Sequence, residues 1–451
     1  MRGAAGLSWG LTLAAVLAGP WLFGAWEGWW FWPLAIPLFL GLAAFGAAWF
    51  NPTRLLAALD GFRLRRDGAP ALAAFGLFLI YGAIRLMQTR VYADAERSVL
   101  LALLPFGTAV ILAVAAGPRA RPVLFGLLAV NLLALGLYGA INHLRTGSER
   151  VMWMPGFLQY IAEDRASGSY YCPNHFAGIL ELGGAMALGL MLDRARRWPA
   201  RGFGLLLLAV CGWGVLLSRS RGGGLTLAAL LVAAPLVGLV QWAPRRRWPA
   251  RGLLLALLLA AAAAAAWGAG GDRERFLRYP WKELQRSDRI QMAGAALRAW
   301  KTAPWGGIGP GMHQNLWPHF AATPDGDRAQ RRWPSQPNIG WHSYEVHSDW
   351  IQLLEEYGAV GLTLLLAALG LVGRLLWRGL RREEAAWRQA GWGAAGPPRG
   401  GFFAALLAGV LGLAAMGLHE AVDFNLQMPA TGWMLGALLG LAAGEALRRD
   451  Q

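Results

Sequence analysis

Apolar residues gather into long runs that recur from end to end of the chain, separated by short polar connections rich in arginine. A helix rises 1.5 Å per residue, so ~20 residues cross a hydrocarbon core of ~30 Å. Twelve runs come close to that length: 6–25, 30–50, 70–87, 98–117, 122–142, 175–192, 203–218, 223–242, 252–269, 350–377, 402–419 and 428–446. The first follows Arg2 and has the outline of a cleaved leader. A second run begins at once with no small-residue cleavage site between them, so a retained helix is expected.

Two connections are long. One runs from Asn142 to Asn174, the other from about Ala269 to Ser348. The pattern therefore divides the chain into helices one to nine (1–268), an outer segment (269–348) and helices ten to twelve (349–451). Within the outer segment, SDRIQMAGAALRAWKTAPWGGIGPG predicts a helix from Asp288 to Pro304. Asp288 and Gln291 have the spacing of a capping box, and Ile290, Ala293, Leu297 and Trp300 mark an apolar face. The glycine-rich tail lacks the Gly-Lys-Ser/Thr of a phosphate loop and reads as a turn. Thr323 to Asn338 reads as a surface loop, and apart from the alanine run at 260–266 no low-complexity tract stands out.

Composition agrees with a membrane location: 56% of the 451 residues are hydrophobic, 15% are charged, and the mean hydropathy is +0.37. The fold class expected is all-α and polytopic. Net charge is +16, which in a soluble protein would invite a nucleic-acid partner; here it is topological. Arg54, Arg63, Arg65 and Arg66, then Arg119 and Arg121, then Arg194, Arg196, Arg197 and Arg201, then Arg245, Arg246, Arg247 and Arg251, and a last group from Arg374 to Arg399 fall in alternate connections, which marks these as cytoplasmic. Leaving aside the long one at 270–348, the opposite connections hold fewer: Arg85, Arg90 and Arg97, Arg145, Arg150 and Arg165, and Arg219 and Arg221. Both termini are expected inside. Cys172 and Cys211 make no metal spacing or disulfide framework.

Chemistry is sought at the outer surface. In SRSRGGG, Ser218 to Gly224, Arg219 and Arg221 run against the charge rule, and the glycines admit close approach of a ligand. They serve either an anion or lipid headgroups to which arginines snorkel. Arg289 stands at the expected start of the helix capped by Asp288, where free N–H groups attract the same anion. His347, in VHSDWIQLLEEYGAVGL, precedes a helix on which Ile351, Leu354, Gly358 and Gly361 share its side, the glycines allowing a neighbour to pack closely. It can exchange a proton near neutral pH or simply bond a loop carbonyl. Glu355 and Glu356 are expected above the hydrocarbon core, because 350–377 is about 42 Å long. In LHEAVDFNLQMPATG, Glu420 and Asp423 lie on the outer side and are candidates to pair with Arg219 or Arg221.

Four stretches together resemble the O-antigen ligase and polymerase family of bacterial membrane glycosyltransferases: SRSRGG at 218–223, SDRIQMAGAALRAWKTAPWGGIGPG at 287–311, HSDWIQLLEEYGAVGL at 347–362 and DFNLQMPA at 423–430. Their order matches from about Asn174 to Gly440, whereas the first five helices are similar only in hydropathy. Ser348 departs from the family pattern, in which asparagine is frequent after the histidine. The resemblance implies a GT-C-like fold in the bacterial inner membrane. It implies transfer of a glycan from undecaprenyl pyrophosphate to an acceptor hydroxyl, such as that of lipid A-core, at the periplasmic face. It implies that Arg221 and Arg289, with Arg219, hold the pyrophosphate and that His347 activates the acceptor; Asp423 and Asn174 are supporting candidates. Close alternatives are a polymerase extending the carrier-linked chain and a ligase that glycosylates protein.

Metal-dependent membrane glycosyltransferases tend to carry paired acids in an early outer loop. Here AWEGWW holds only Glu27. No divalent metal or other cofactor is therefore expected. A polysaccharide transporter would line its path with intramembrane charge, and the expected helices carry almost none. Of the 24 tryptophans, Trp26, Trp29, Trp30 and Trp32 mark an interface; Trp281, Trp300, Trp305, Trp317, Trp333, Trp341 and Trp350 crowd the outer segment, for packing or sugar stacking.

Overall fold

The computed structural model describes residues 2–49, 67–89, 91–148, 150–154, 165–193, 195–241, 288–321, 343–390 and 402–448. Among them the regular structure is helical: α1 (Arg2–Ala18), α2 (Gly28–Trp49), α3 (Ala69–Met87), α4 (Tyr92–Ala115), α5 (Ala120–Thr146), α6 (Pro173–Leu192), α7 (Trp198–Ser218), α8 (Arg221–Gln241), α9 (Asp288–Thr302), α10 (His313–Ala321), α11 (Asp349–Ala390), α12 (Phe403–His419) and α13 (Pro429–Ala446). Eight of these helices are long and apolar enough to cross a membrane. The chain is an all-helical polytopic membrane protein. The run at 252–269, the alanines at 260–266, Thr323 to Asn338, and Trp281, Trp333 and Trp341 lie outside the described residues.

Small residues set the packing. α6 is buried almost all round, which its glycines permit. A Cβ on Gly183 would sit 2.5 Å from Cys211 Sγ of α7, and one on Gly189 would sit 2.4 Å from the Ala404 carbonyl of α12. Backbones thus approach without large side chains between them, the usual means of helix association in lipid. α13 meets α4 in the same way, through Gly436 against Pro105 and Gly440 against Ala109.

Polar contacts tie the arginine-rich end of the bundle. Arg121 lies 3.1 Å from Glu445 with both side chains 3% exposed, and donates to the Ala116 and Ala113 carbonyls. Asp193 accepts from Ala404 N at 3.1 Å and from Arg196 Nε at 3.2 Å. Arg378 meets Asp67 at 2.8 Å. Arg121 and Glu445 are members of α5 and α13, so the expectation of nearly charge-free helices needs correction: ionisable groups enter where each finds a partner, because an unpaired charge there would be costly.

α11 is longer than the expected 350–377 and is interrupted at Gly358 (φ 67°, ψ −175°). The break is filled by the glycine-rich turn after α9. Ala359 N–H donates to the Pro304 carbonyl and Val360 N–H to that of Trp305, while the Glu355 and Glu356 carbonyls accept from Ile308 and Gly309. Four backbone groups that a continuous helix would pair internally are paired with the turn instead. A Cβ at Gly358 would lie 2.2 Å from the Trp305 carbonyl. Gly358→Ala is therefore expected to cost about 3 kcal/mol or more, from strain at positive φ plus overlap, read as a lowered thermal unfolding midpoint in lipid nanodiscs.

α9 corrects the predicted face. Met292, Ala295, Ala296 and Ala299 are buried, while Ile290 is 41% and Leu297 37% exposed. The period is helical but the stripe is another one. Alanines let α9 lie close to α11, and Met292 and Ala295 pack on Trp317 of α10.

Candidate active site

The loop from Glu420 to Met428, between α12 and α13, gathers the site. Asp349 N–H donates to the Glu420 carbonyl at 3.0 Å and to that of Asp423 at 3.1 Å. The Ser348 hydroxyl donates to the Glu420 carbonyl at 3.3 Å, Leu426 N–H to Asp349 Oδ2 at 3.0 Å and Trp350 Nε1 to the Gly417 carbonyl at 2.9 Å. The first N–H groups of a helix have no helical partner, and this loop supplies the acceptors for that of Asp349. Ser348 thus has a defined bond of its own where the family pattern favours asparagine.

Asp423 is the hub. Its side chain is 1% exposed; Oδ2 lies 3.1 Å from Arg289 Nη2, and Oδ1 lies 3.7 Å from both His347 Nδ1 and His175 Nε2. Arg289 also donates through Nη1 to the Val422 carbonyl. Phe424 is wedged between the imidazoles, its ring centre 4.4 Å from that of His175 and 4.6 Å from that of His347, both edge-on. Burial alone would push the Asp423 carboxyl up. The His347 imidazole beside it, Arg289, His175 and His419 outweigh burial and hold it well below the usual carboxylate range, so it stays an anion. Glu420, on the same loop, is pushed well above that range by burial and by the neighbouring Asp349.

His347 combines two uncommon features. Its φ is +58°, a left-handed conformation that non-glycine residues adopt only where the surroundings enforce it. Its Nδ1 is buried, whereas the side chain as a whole is 28% exposed. The open edge is therefore the one turned away from Asp423. An imidazole that faces a buried carboxylate on one side and is open on the other is suited to act as a general base.

Behind Asp423 stand residues that the sequence reading passed over. His419 Nδ1 lies 2.7 Å from Glu181 Oε1, both side chains 0% exposed. The glycines of SRSRGGG pack on this pair: a Cβ at Gly222 would sit 2.7 Å from the His419 ring and one at Gly223 3.3 Å from Glu181 Oε1. Asn425, also fully buried, lies where a Cβ on Gly178 would reach to 2.4 Å. A signal was available in Glu181, a lone acid in the apolar run 175–192, since such residues in a span mark function by default.

Arg219 closes α7 in the left-handed conformation (φ 50°), and Arg221 begins α8; both side chains are exposed. A Cβ on Gly222, next to Arg221, would lie 3.1 Å from the Val422 side chain, and Val422 carries the carbonyl held by Arg289. The turn and the start of α9 thus share one rim. The arginine joined to Asp423 is Arg289. Asn174 accepts from Arg165 Nη2 at 2.6 Å, one residue before His175. Asp288 has its backbone at the start of α9, as expected.

Glu355 and Glu356 overturn their expected solvation: each is 2% exposed. Glu355 Oε2 lies 2.7 Å from His313 Nδ1, and His313 Nε2 lies 3.2 Å from Ser343 Oγ. Glu356 accepts from Gly311 N at 2.9 Å and His313 N at 3.3 Å. Gln352 Oε1 accepts from Val346 N at 3.0 Å. The acids bind the turn after α9 and the start of α10 onto α11, and Gln352 binds the chain leading to His347, so both acids lie beneath the outer elements. Cys172 and Cys211 form no disulfide, and the described residues hold no cluster of three or more metal-ligating side chains.

No curated protein matches the chain. Residues 203–366 match the family model described as O-Antigen ligase. That stretch includes the SRSRGG turn, α9 with its glycine-rich tail, and His347 at the head of α11; DFNLQMPA, with Asp423, follows it. Over that stretch the chain is similar to the O-antigen ligase family, the same family that its motifs resemble.

Proposed function

We propose that the protein transfers a glycan from an undecaprenyl pyrophosphate carrier to a hydroxyl of lipid A-core, at the periplasmic face of the inner membrane. The observation that supports this reading is the convergence on Asp423 of an open-edged histidine and an arginine from separate family motifs. The open edge of His347 removes the proton of the acceptor hydroxyl as its oxygen bonds to the anomeric carbon. The bond from that carbon to the pyrophosphate breaks, and both its electrons leave with the phosphate oxygen. Arg289, Arg221 and Arg219 stabilise the charge that develops there; guanidiniums bind phosphate oxygens in pairs. Asp423 steadies the protonated imidazole. Asn174, through Arg165, shapes the wall behind His175.

Because guanidiniums supply the positive charge, the reaction needs no divalent metal. Transfer by purified protein is expected to be unchanged in excess chelator. Ligation is tested in cells that lack the protein, by gel analysis of lipopolysaccharide. Loss of the whole ladder, with polymer accumulating on the carrier, is expected; a single repeat left on the core would identify a polymerase instead.

A further inference from the structure

One cavity of about 240 Å³ is lined by α3, α4, α11 and α13. Along α4 its lining runs from Ser98 to Val114, about 24 Å at 1.5 Å per residue. The wall is apolar for most of this length, with Phe75, Ala109, Leu369 and Leu435 among its residues. The character changes at the end that carries the site. There a smaller pocket of about 100 Å³ adjoins it, the two sharing Ser98, Leu101, Gln352, Glu356 and Gln427.

This mouth is acidic. Asp94, Glu345 and Glu356 line it against one cation, Arg97. Arg97 is already engaged, donating to the Trp26 carbonyl and lying over the Trp26 ring at 4.8 Å. The mouth also borders the base: Glu345 is two residues before His347, and Asp349, which lines the cavity, is two residues after it.

We propose that this cavity is the binding site for the lipid tail of the acceptor, and that its mouth holds the acceptor's sugar hydroxyls. The proposal rests on the transfer reading above and extends it by separating the two lipid substrates. Both carry apolar tails, so the tail region alone does not choose between them. The head does. A pyrophosphate brought to the mouth would meet the acid side chains of Asp94, Glu345 and Glu356 and find the one cation there, Arg97, already engaged, whereas Arg219, Arg221 and Arg289 offer it a basic rim elsewhere. Sugar hydroxyls hydrogen-bond to carboxyl groups and amide oxygens without needing a cation. The carrier therefore approaches His347 from the arginine side, and the acceptor from the cavity.

Matched probes test this without relying on turnover. The protein in phosphatidylcholine nanodiscs is titrated with tetradecyl glucoside and with tetradecyl phosphate, which share a tail and differ in head. The glucoside is expected to bind about tenfold more tightly or better, a difference of ~1.4 kcal/mol or more. Ala109→Trp and Ala102→Trp, which fill the shaft at separate points, are each expected to abolish that binding, with folding verified by helical circular dichroism. Gln427→Lys is expected to reverse the preference between heads. In transfer assays the glucoside should compete with the lipid acceptor and not with the carrier-linked donor. Equal or tighter binding of the phosphate by the wild type would overturn the proposal, as would glucoside binding that survives both folded tryptophan variants, the mark of ordinary bilayer lipid. A wild-type protein that prefers the glucoside but transfers nothing would instead overturn the transfer reading.

Discussion

His347→Gln is expected to lower glycan transfer by about 10²–10⁴-fold, the usual contribution of a positioned general base, with donor binding retained. The expectation follows from where the ring stands. Its Nδ1 faces a buried carboxylate, its other edge is open, and its backbone is held at φ +58° by the bonds that Ser348 and Asp349 make to the Glu420–Asp423 loop. Glutamine keeps the size and hydrogen-bonding capacity of the side chain but cannot take up a proton. Because the histidine is 28% exposed, the substitution removes little packing. The deficit should therefore appear in kcat, with the acceptor KM and the thermal unfolding midpoint nearly unchanged. A matching loss of stability would point to a structural role.

Asp423→Ala is expected to damage both activity and fold. The carboxylate is 1% exposed and faces Arg289, His347 and His175. Removing one partner of a fully buried ion pair costs ~3–5 kcal/mol; the Arg289 side chain is 38% exposed, so solvent screening places the expected loss at or below the low end of that range. The effect has a defined pH dependence. A carboxyl whose folded-state value lies below its unfolded value of ~3.9 contributes its full stability above that pH and loses it as pH falls toward the folded value. Burial raises the Asp423 value and its cationic neighbours lower it further, so its contribution is intact at neutral pH and drains only in strong acid. Wild type and Asp423→Asn should differ in thermal midpoint by a constant amount above about pH 4 and converge below it. Convergence at pH 6 would show that the carboxylate is not held by these neighbours.

The membrane spans were legible because lipid leaves the chain little choice: each crossing must be a helix with an apolar surface. Predicted runs such as 30–50 and 175–192 differ from α2 and α6 by at most two residues at either end. The motifs, distant in sequence, lie together at one end of the bundle, where SRSRGG, α9, His347 and Asp423 share one rim. Contacts between distant segments were not legible. Which arginine meets Asp423 depends on how α9 docks on the α12–α13 loop, and Arg289 makes that pair. The buried stripe of α9 was misjudged because alanine is a weak hydrophobic marker, although its small size lets helices approach. Glu355 and Glu356 were placed in water by a length argument that assumed an unbroken helix. The break at Gly358 draws the glycine-rich turn over them and buries both. His175, Glu181 and His419 were passed over because each stands alone in the sequence, and only the packing of α6 against α12 makes them a cluster.

The central claim is that His347 acts as base in a site where Asp423 and the arginines of two motifs converge. It is tested most directly by purified protein in nanodiscs, a synthetic polyprenyl-pyrophosphate glycan and a hydroxyl-bearing lipid acceptor, with the product measured by mass spectrometry. The account predicts glycan joined to acceptor with release of the polyprenyl pyrophosphate, and loss of that product in His347→Gln while the donor still binds. Product formed by His347→Gln at the wild-type rate would contradict it.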